Sequence, residues 1–126
     1  MTKQLTQMVL ALSSALWLTS ALADNTGHKH HDFPKDVDAF HALLAPIWHA
    51  RPGKERSQNA CTNAPEMERL AKDIHSADAK PLVASITTLK SKCKGKLADV
   101  DAAFFDVHEA FHHLIDAPAP APAAKR

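Results

Sequence analysis

Two histidines near the end of the chain, His108 and His112, are spaced for joint binding of a metal ion. Residues four apart on a helix lie on the same side, one turn from each other, so their rings can reach a common ion. Neutral imidazole is a frequent ligand of zinc and of the neighbouring transition metals. We therefore predict a divalent metal site here, with zinc as the first choice and Cu2+, Ni2+ and Co2+ as alternatives.

A third ligand is expected from His41, which precedes the pair by about 70 residues and belongs to the first predicted helix. If the first and last helices are antiparallel neighbours, matching their ends places His41 level with His108. The chain has nine histidines in 126 residues, and several others are candidates for auxiliary binding. The predicted metal ligands are His41, His108 and His112, and the auxiliary candidates are His28, His30, His31, His75 and Asp38.

The apolar residues recur at helical spacing and predict four helices, at about 34–50, 64–75, 79–94 and 98–115. Pro46 is expected to kink or split the first of these, because proline lacks a backbone donor. Asn63 and Glu66 resemble a capping box that starts the second helix, which leaves 51–62 as a polar connection. Four helices with short connections indicate an all-α fold, an antiparallel four-helix bundle.

The two cysteines, Cys61 and Cys93, are expected to form one disulfide. Each lies about 16 residues from the predicted turn near Ala77. Two antiparallel helices that meet at this turn would bring both cysteines to the same level. Such a bond requires an oxidising compartment.

Export is indicated by residues 1–23, which have a polar start with Lys3, an apolar stretch from Met8 to Leu18 and a final Ala21-Leu22-Ala23. This is the pattern of a cleaved secretory signal peptide. The apolar stretch is shorter than the 18 to 20 or so residues that span a membrane, so no span is expected after cleavage. The predicted location is the periplasm or the exterior of the cell.

The mature chain is expected to divide into three parts. Residues 24–33 are polar and rich in histidine, and we predict a flexible arm. Residues 34–116 form the helical domain, and 117–126 form an extended tail rich in proline and alanine. Because Lys plus Arg number 15 and Asp plus Glu number 14, the balance of charge does not favour a nucleic-acid-binding protein.

The segment His108-Glu109-Ala110-Phe111-His112 resembles the H-E-x-x-H zinc helix of the zincin metallopeptidases. That resemblance implies that His108 and His112 bind zinc and that Glu109 is the general base. The match covers five residues. The usual downstream third ligand is missing, and no strand is predicted beside which a peptide substrate could lie.

We therefore predict a metal-binding protein for buffering, sensing or delivery, with a membrane-bound metal transporter or sensor as its protein partner. A small zinc peptidase is the first alternative. A noncovalent haem protein, with His41, His108 or Met67 as axial ligand, is the second, because the chain has no C-x-x-C-H for covalent attachment. A pH-sensitive protein-binding adaptor is the third.

Overall fold

The computed structural model describes residues 32–118, which contain four α-helices and no strands. The helices pack as a bundle, so the predicted all-α fold is confirmed for this part of the chain. Three of the four predicted helices have bounds within about two residues of those observed. The helices are α1 (Lys35–His49), α2 (Lys54–Lys72), α3 (Lys80–Lys92) and α4 (Leu97–Asp116).

The core forms because each helix buries one apolar stripe against the others. In α1 and α4 the stripes are the predicted ones, with Phe40 and Phe104 fully buried. Within residues 32–118 no helix is both long and apolar enough to cross a membrane. The largest fully buried side chains are Phe40, Phe104, Leu44, Met67, Leu82, Ile86, Leu89, Val100 and Val107.

Helix α2 is about ten residues longer at its start than the sequence predicted, and the predicted polar connection at 51–62 was wrong. Asn63 does not cap the helix: its side-chain amide donates to the carbonyl of Asn59, 2.8 Å away, one turn earlier. Glu66 instead pairs with Arg69. The hydropathy pattern missed this part of α2 because its buried residues are small or polar: Arg56, Ser57, Ala60 and Ala64.

Of the kink or split expected at Pro46, the split does not occur, since α1 is one helix from Lys35 to His49. The chain instead turns at Gly53, where φ is 150°. Residues with a Cβ atom rarely adopt this backbone conformation, so glycine suits the position. Helix α2 follows at once.

The predicted disulfide between Cys61 and Cys93 is confirmed, with the two Cα atoms 5.6 Å apart. It joins the middle of α2 to the residue that ends α3. Lys90 adds an ion pair between the same helices by donating to Glu68. Helices α2 and α3 are therefore joined by a covalent bond and an ion pair.

The start of α1 is tied to the loop between α2 and α3 by the carboxylate of Asp36. Its Oδ2 atom accepts hydrogen bonds from the backbone N–H of His75, at 2.8 Å, and of Ser76, at 2.9 Å. Its Oδ1 atom accepts from the Ser76 hydroxyl at 2.6 Å. These contacts, led by the hydroxyl, hold the pKa of Asp36 well below its usual range. Asp36 thus acts as an anionic clamp at one end of the bundle.

Candidate metal site

The Nε2 atoms of His108 and His112 lie 3.2 Å apart on consecutive turns of α4. Zinc binds imidazole nitrogen at about 2.0 to 2.1 Å, and tetrahedral geometry then places two ligand nitrogens about 3.3 to 3.4 Å apart. The observed separation is close to this value. In the metal-free chain the same distance suits a hydrogen bond between the two rings. A cation bound between the two Nε2 atoms would replace this hydrogen bond, and the ring that donated it would then carry its proton on Nδ1.

The ring of His108 is held by Trp48 of α1. The two rings stack with centroids 3.7 Å apart and planes 10° from parallel. Phe105, one turn before His108 on α4, packs on the same indole at 6.0 Å. The stacking limits the rotation of the His108 ring about its side-chain bonds, so one member of the pair is preorganised.

Arg56 of α2 supports Trp48, and this role was not predicted from the sequence. Arg56 is 7% exposed, donates to Asp101 Oδ1 at 2.7 Å and to the Trp48 carbonyl at 3.3 Å. Its guanidinium carbon also lies 5.0 Å from the centre of the Trp48 ring, a cation–π distance. The helical spacing of Arg56 with Ala60, Ala64 and Met67 was the signal that could have revealed its burial.

The other ring nitrogen of His108, Nδ1, is buried and has no hydrogen-bond partner among residues 32–118. Glu109 Oε1 lies 3.5 Å from it, just beyond a normal hydrogen bond. Because the Glu109 side chain is 48% exposed, rotation can close this gap. A carboxylate at Nδ1 would keep the proton there and leave the Nε2 lone pair for a cation.

Burial lowers the pKa of His108 from its ordinary value, and the neighbouring His112 lowers it further. The carboxylate of Glu109 acts in the opposite direction, and His49 at the end of α1 adds a smaller lowering. His108 is therefore biased toward the neutral form, which is the form that can bind a metal ion. His49 was not among the residues predicted for this site.

The structure does not place His41 level with His108. The His41 ring stacks on Phe111, with centroids 5.6 Å apart, and contacts Phe33 edge-on at 5.3 Å. The expected register of α1 against α4 was thus wrong by about one turn. It had been predicted by aligning the ends of the two helices, whereas stacked aromatic rings determine which residues lie opposite each other. His41 lies among aromatic rings beside the pair.

The other candidates are dispersed. His75 lies in the loop after α2, where its backbone N–H donates to Asp36. Asp38 is exposed in the first turn of α1, and Met67 is fully buried in the core. The histidines at 28, 30 and 31 lie outside the described residues.

Within residues 32–118 no group of three or more His, Cys, Asp and Glu side chains is arranged to hold a metal ion. The structure therefore brings together His108 and His112, and it does not add His41 to them as a third ligand. A tetrahedral site built on this pair would need two further ligands.

Comparisons with known proteins do not assign the chain to a family. No family model matches it, and no significant match was found among the curated proteins or the solved structures. The function of the chain is therefore inferred from the geometry of the site.

Proposed function

We propose that this protein is an exported helical protein that binds a divalent transition metal ion through Nε2 of His108 and Nε2 of His112. The observation that carries the proposal is the 3.2 Å separation of these two atoms, which matches two ligands of one tetrahedral ion. Zinc is the first candidate, and Cu2+, Ni2+ and Co2+ suit the same imidazole ligands. Buffering, sensing or delivery of the ion would be the biological role.

The surroundings of the pair favour binding because one ligand is already oriented. Trp48 stacks on His108, and Arg56 holds Trp48 through its carbonyl and its ring. A ligand that is fixed before the ion arrives loses less conformational entropy on binding. This support distinguishes the pair from two solvent-exposed histidines that merely happen to lie on the same helix face.

The histidines at 28, 30 and 31 are proposed auxiliary ligands of the same ion, and they lie outside the described residues.

We infer that α1 and α4 run antiparallel. Trp48, near the end of α1, packs on Phe104 and His108, whereas His41, two turns earlier, packs on Phe111. Movement forward along α1 thus corresponds to movement backward along α4. The cleaved signal peptide, the oxidising compartment and a membrane-bound transporter or sensor as partner belong to the same proposal.

Binding is favoured over peptide hydrolysis by the position of Glu109. A general base must reach the water on the ion, which would lie on the Nε2 side of both rings. The carboxylate of Glu109 is instead 3.5 Å from Nδ1 of His108, the opposite nitrogen of that ring. In this position Glu109 orients a ligand.

The experiment is an equilibrium titration with zinc of the protein and of two variants. His112→Ala should weaken binding at the pair at least about tenfold, since one of two helix ligands is lost. His113→Ala is the matched control, because His113 is exposed on the same turn and lies outside the pair. Equal affinity of the His112→Ala variant and the unaltered protein would refute the proposal.

A further inference from the structure

The His108 and His112 pair supplies only half of a tetrahedral coordination shell. Structural zinc sites are almost always four-coordinate, with all four ligands from protein. Among residues 32–118 no third ligand stands beside the pair. His112 is exposed, so the open side of the pair faces outward. The remaining ligands must therefore approach from outside the bundle.

We propose that a second copy of this chain completes the site, so that one metal ion is held by His108 and His112 of two protomers. This inference rests on the proposed function, since it requires that the pair binds an ion. A symmetric dimer brings the same surface of both chains together, so the partner presents an identical pair. Four Nε2 atoms around one ion on the symmetry axis give a tetrahedral shell made of four imidazole ligands.

The surface around the pair is suited to contact with another protein. Leu97, Asp101, Phe105, His108 and His112 lie within a sector of about 80° on α4, at 100° per residue; we call this the outer stripe. Phe105 is 51% exposed and Leu97 is 41% exposed, and they are the large exposed hydrophobic residues of the described chain. Both lie on the helix that carries the ligands. Their burial would add to the stability of a dimer formed along the stripe.

The charges beside the pair make such a dimer depend on the ion. Glu109 is exposed beside His108 at the edge of the outer stripe, so two copies would bring two of these carboxylates to the same interface. Asp101 is largely neutralised by its ion pair with Arg56. Neutral histidines bring no compensating charge, whereas a divalent cation does. The metal-free chain is therefore expected to be monomeric.

Two other sources of ligands predict a different stoichiometry. If the arm histidines of the same chain, or water, complete the shell, one ion binds per chain and the mass does not change. The dimer requires one ion per two chains and a doubled mass. Stoichiometry and mass measured together thus decide between them.

The experiment is sedimentation analysis of the protein, with bound zinc measured in the sedimenting species. We expect a monomer in chelator and, with half an equivalent of zinc, a dimer with one ion. A variant with His28, His30 and His31 replaced by Ala should still form the dimer, and so should the His113→Ala control. His112→Ala should remain monomeric, with its helical content checked by circular dichroism.

A second variant tests the contact surface separately from the ligands. Leu97→Ser leaves both histidines and the rings that pack on Trp48 in place, and it should weaken the zinc-dependent dimer by about tenfold, as expected for loss of an apolar contact. An unchanged dimer affinity would overturn the outer stripe as the interface. Zinc bound by His112 at one ion per chain in a monomer would overturn the dimer while the proposed function holds. Zinc binding that does not depend on His112 would overturn both.

Discussion

Nε2 of His108 lies 3.2 Å from Nε2 of His112, while Nδ1 of His108 is buried on the other side of its ring. The two nitrogens of one ring thus have different roles. Nε2 meets Nε2 of His112, and Nδ1 lies beside the carboxylate of Glu109. Trp48 holds the ring between these contacts. One of the two rings of the proposed metal site is therefore held in place in the metal-free chain.

The protonation of His108 is the first prediction. In the metal-free protein we expect the His108 ring to titrate below the ordinary histidine value of about 6.5, because burial and His112 disfavour the charged form. Glu109→Gln should lower this pKa further, since the carboxylate raises it. Histidine NMR shifts followed against pH would measure both. A pKa that rises on loss of Glu109 would contradict the assignment.

The Asp36 clamp predicts a pH-dependent loss of stability. Its folded pKa is depressed, so its contribution is present above the unfolded value of about 3.9 and is lost as the pH falls toward the folded value. Asp36→Asn should lower the free energy of unfolding by about 1 kcal/mol at pH 7, and by less at pH 3. The expected loss is small because Asp36 is partly exposed and solvent screens its charge. Urea unfolding at both pH values measures this.

The exposed Asp106 of α4 is the matched control for the clamp. Asp106→Asn should change the free energy of unfolding by no more than about 0.5 kcal/mol at either pH. If Asp36→Asn cost the same at pH 7 and pH 3, the ionised carboxylate would not be the stabilising group.

The disulfide should contribute a large share of the stability. Cys61 and Cys93 are 32 positions apart. On the chain-entropy model, closing such a loop stabilises the fold by about 3.5 kcal/mol. Replacing both cysteines with Ala should lower the free energy of unfolding by about this amount, as measured in urea. The natural protein unfolded with reductant present should show a similar loss. A loss below about 1 kcal/mol in the free energy of unfolding on replacement of both cysteines would count against this mechanism.

Arg56 is predicted to stabilise both the bundle and the site. Arg56→Ala removes an ion pair with the half-exposed Asp101 and the contact of the buried guanidinium with Trp48, and should cost about 2 kcal/mol in the free energy of unfolding. Arg51→Ala changes an exposed arginine a few residues earlier and should cost less than about 0.5 kcal/mol. Similar costs for the two variants would show that burial of Arg56 contributes nothing.

The sequence predicted the parts of the fold in which apolar residues repeat at helical spacing. In α1, α3 and α4 the stripes carry large side chains such as Phe40, Leu89 and Phe104, so both helix type and core face could be inferred. The disulfide followed from the positions of the two cysteines. The first half of α2 could not be inferred in this way, because it buries a guanidinium and small residues against its neighbours.

The candidate site was predicted in part for a related reason. Spacing along one helix is enough to bring His108 and His112 together, since it depends on local geometry alone. The position of His41 depends on the register between α1 and α4, which is set by the stacking of Trp48 on His108 and of His41 on Phe111. No periodicity in a single chain encodes that register.

Nε2 of His108 and Nε2 of His112 are proposed to bind one ion, and ring nitrogen NMR on addition of zinc tests this most directly. We expect both Nε2 resonances to move to positions typical of metal-bound nitrogen, with Nδ1 of each ring protonated in the zinc-bound form and His113 unchanged. Zinc-induced shifts confined to other histidines, or ligation of His108 through Nδ1, would contradict it.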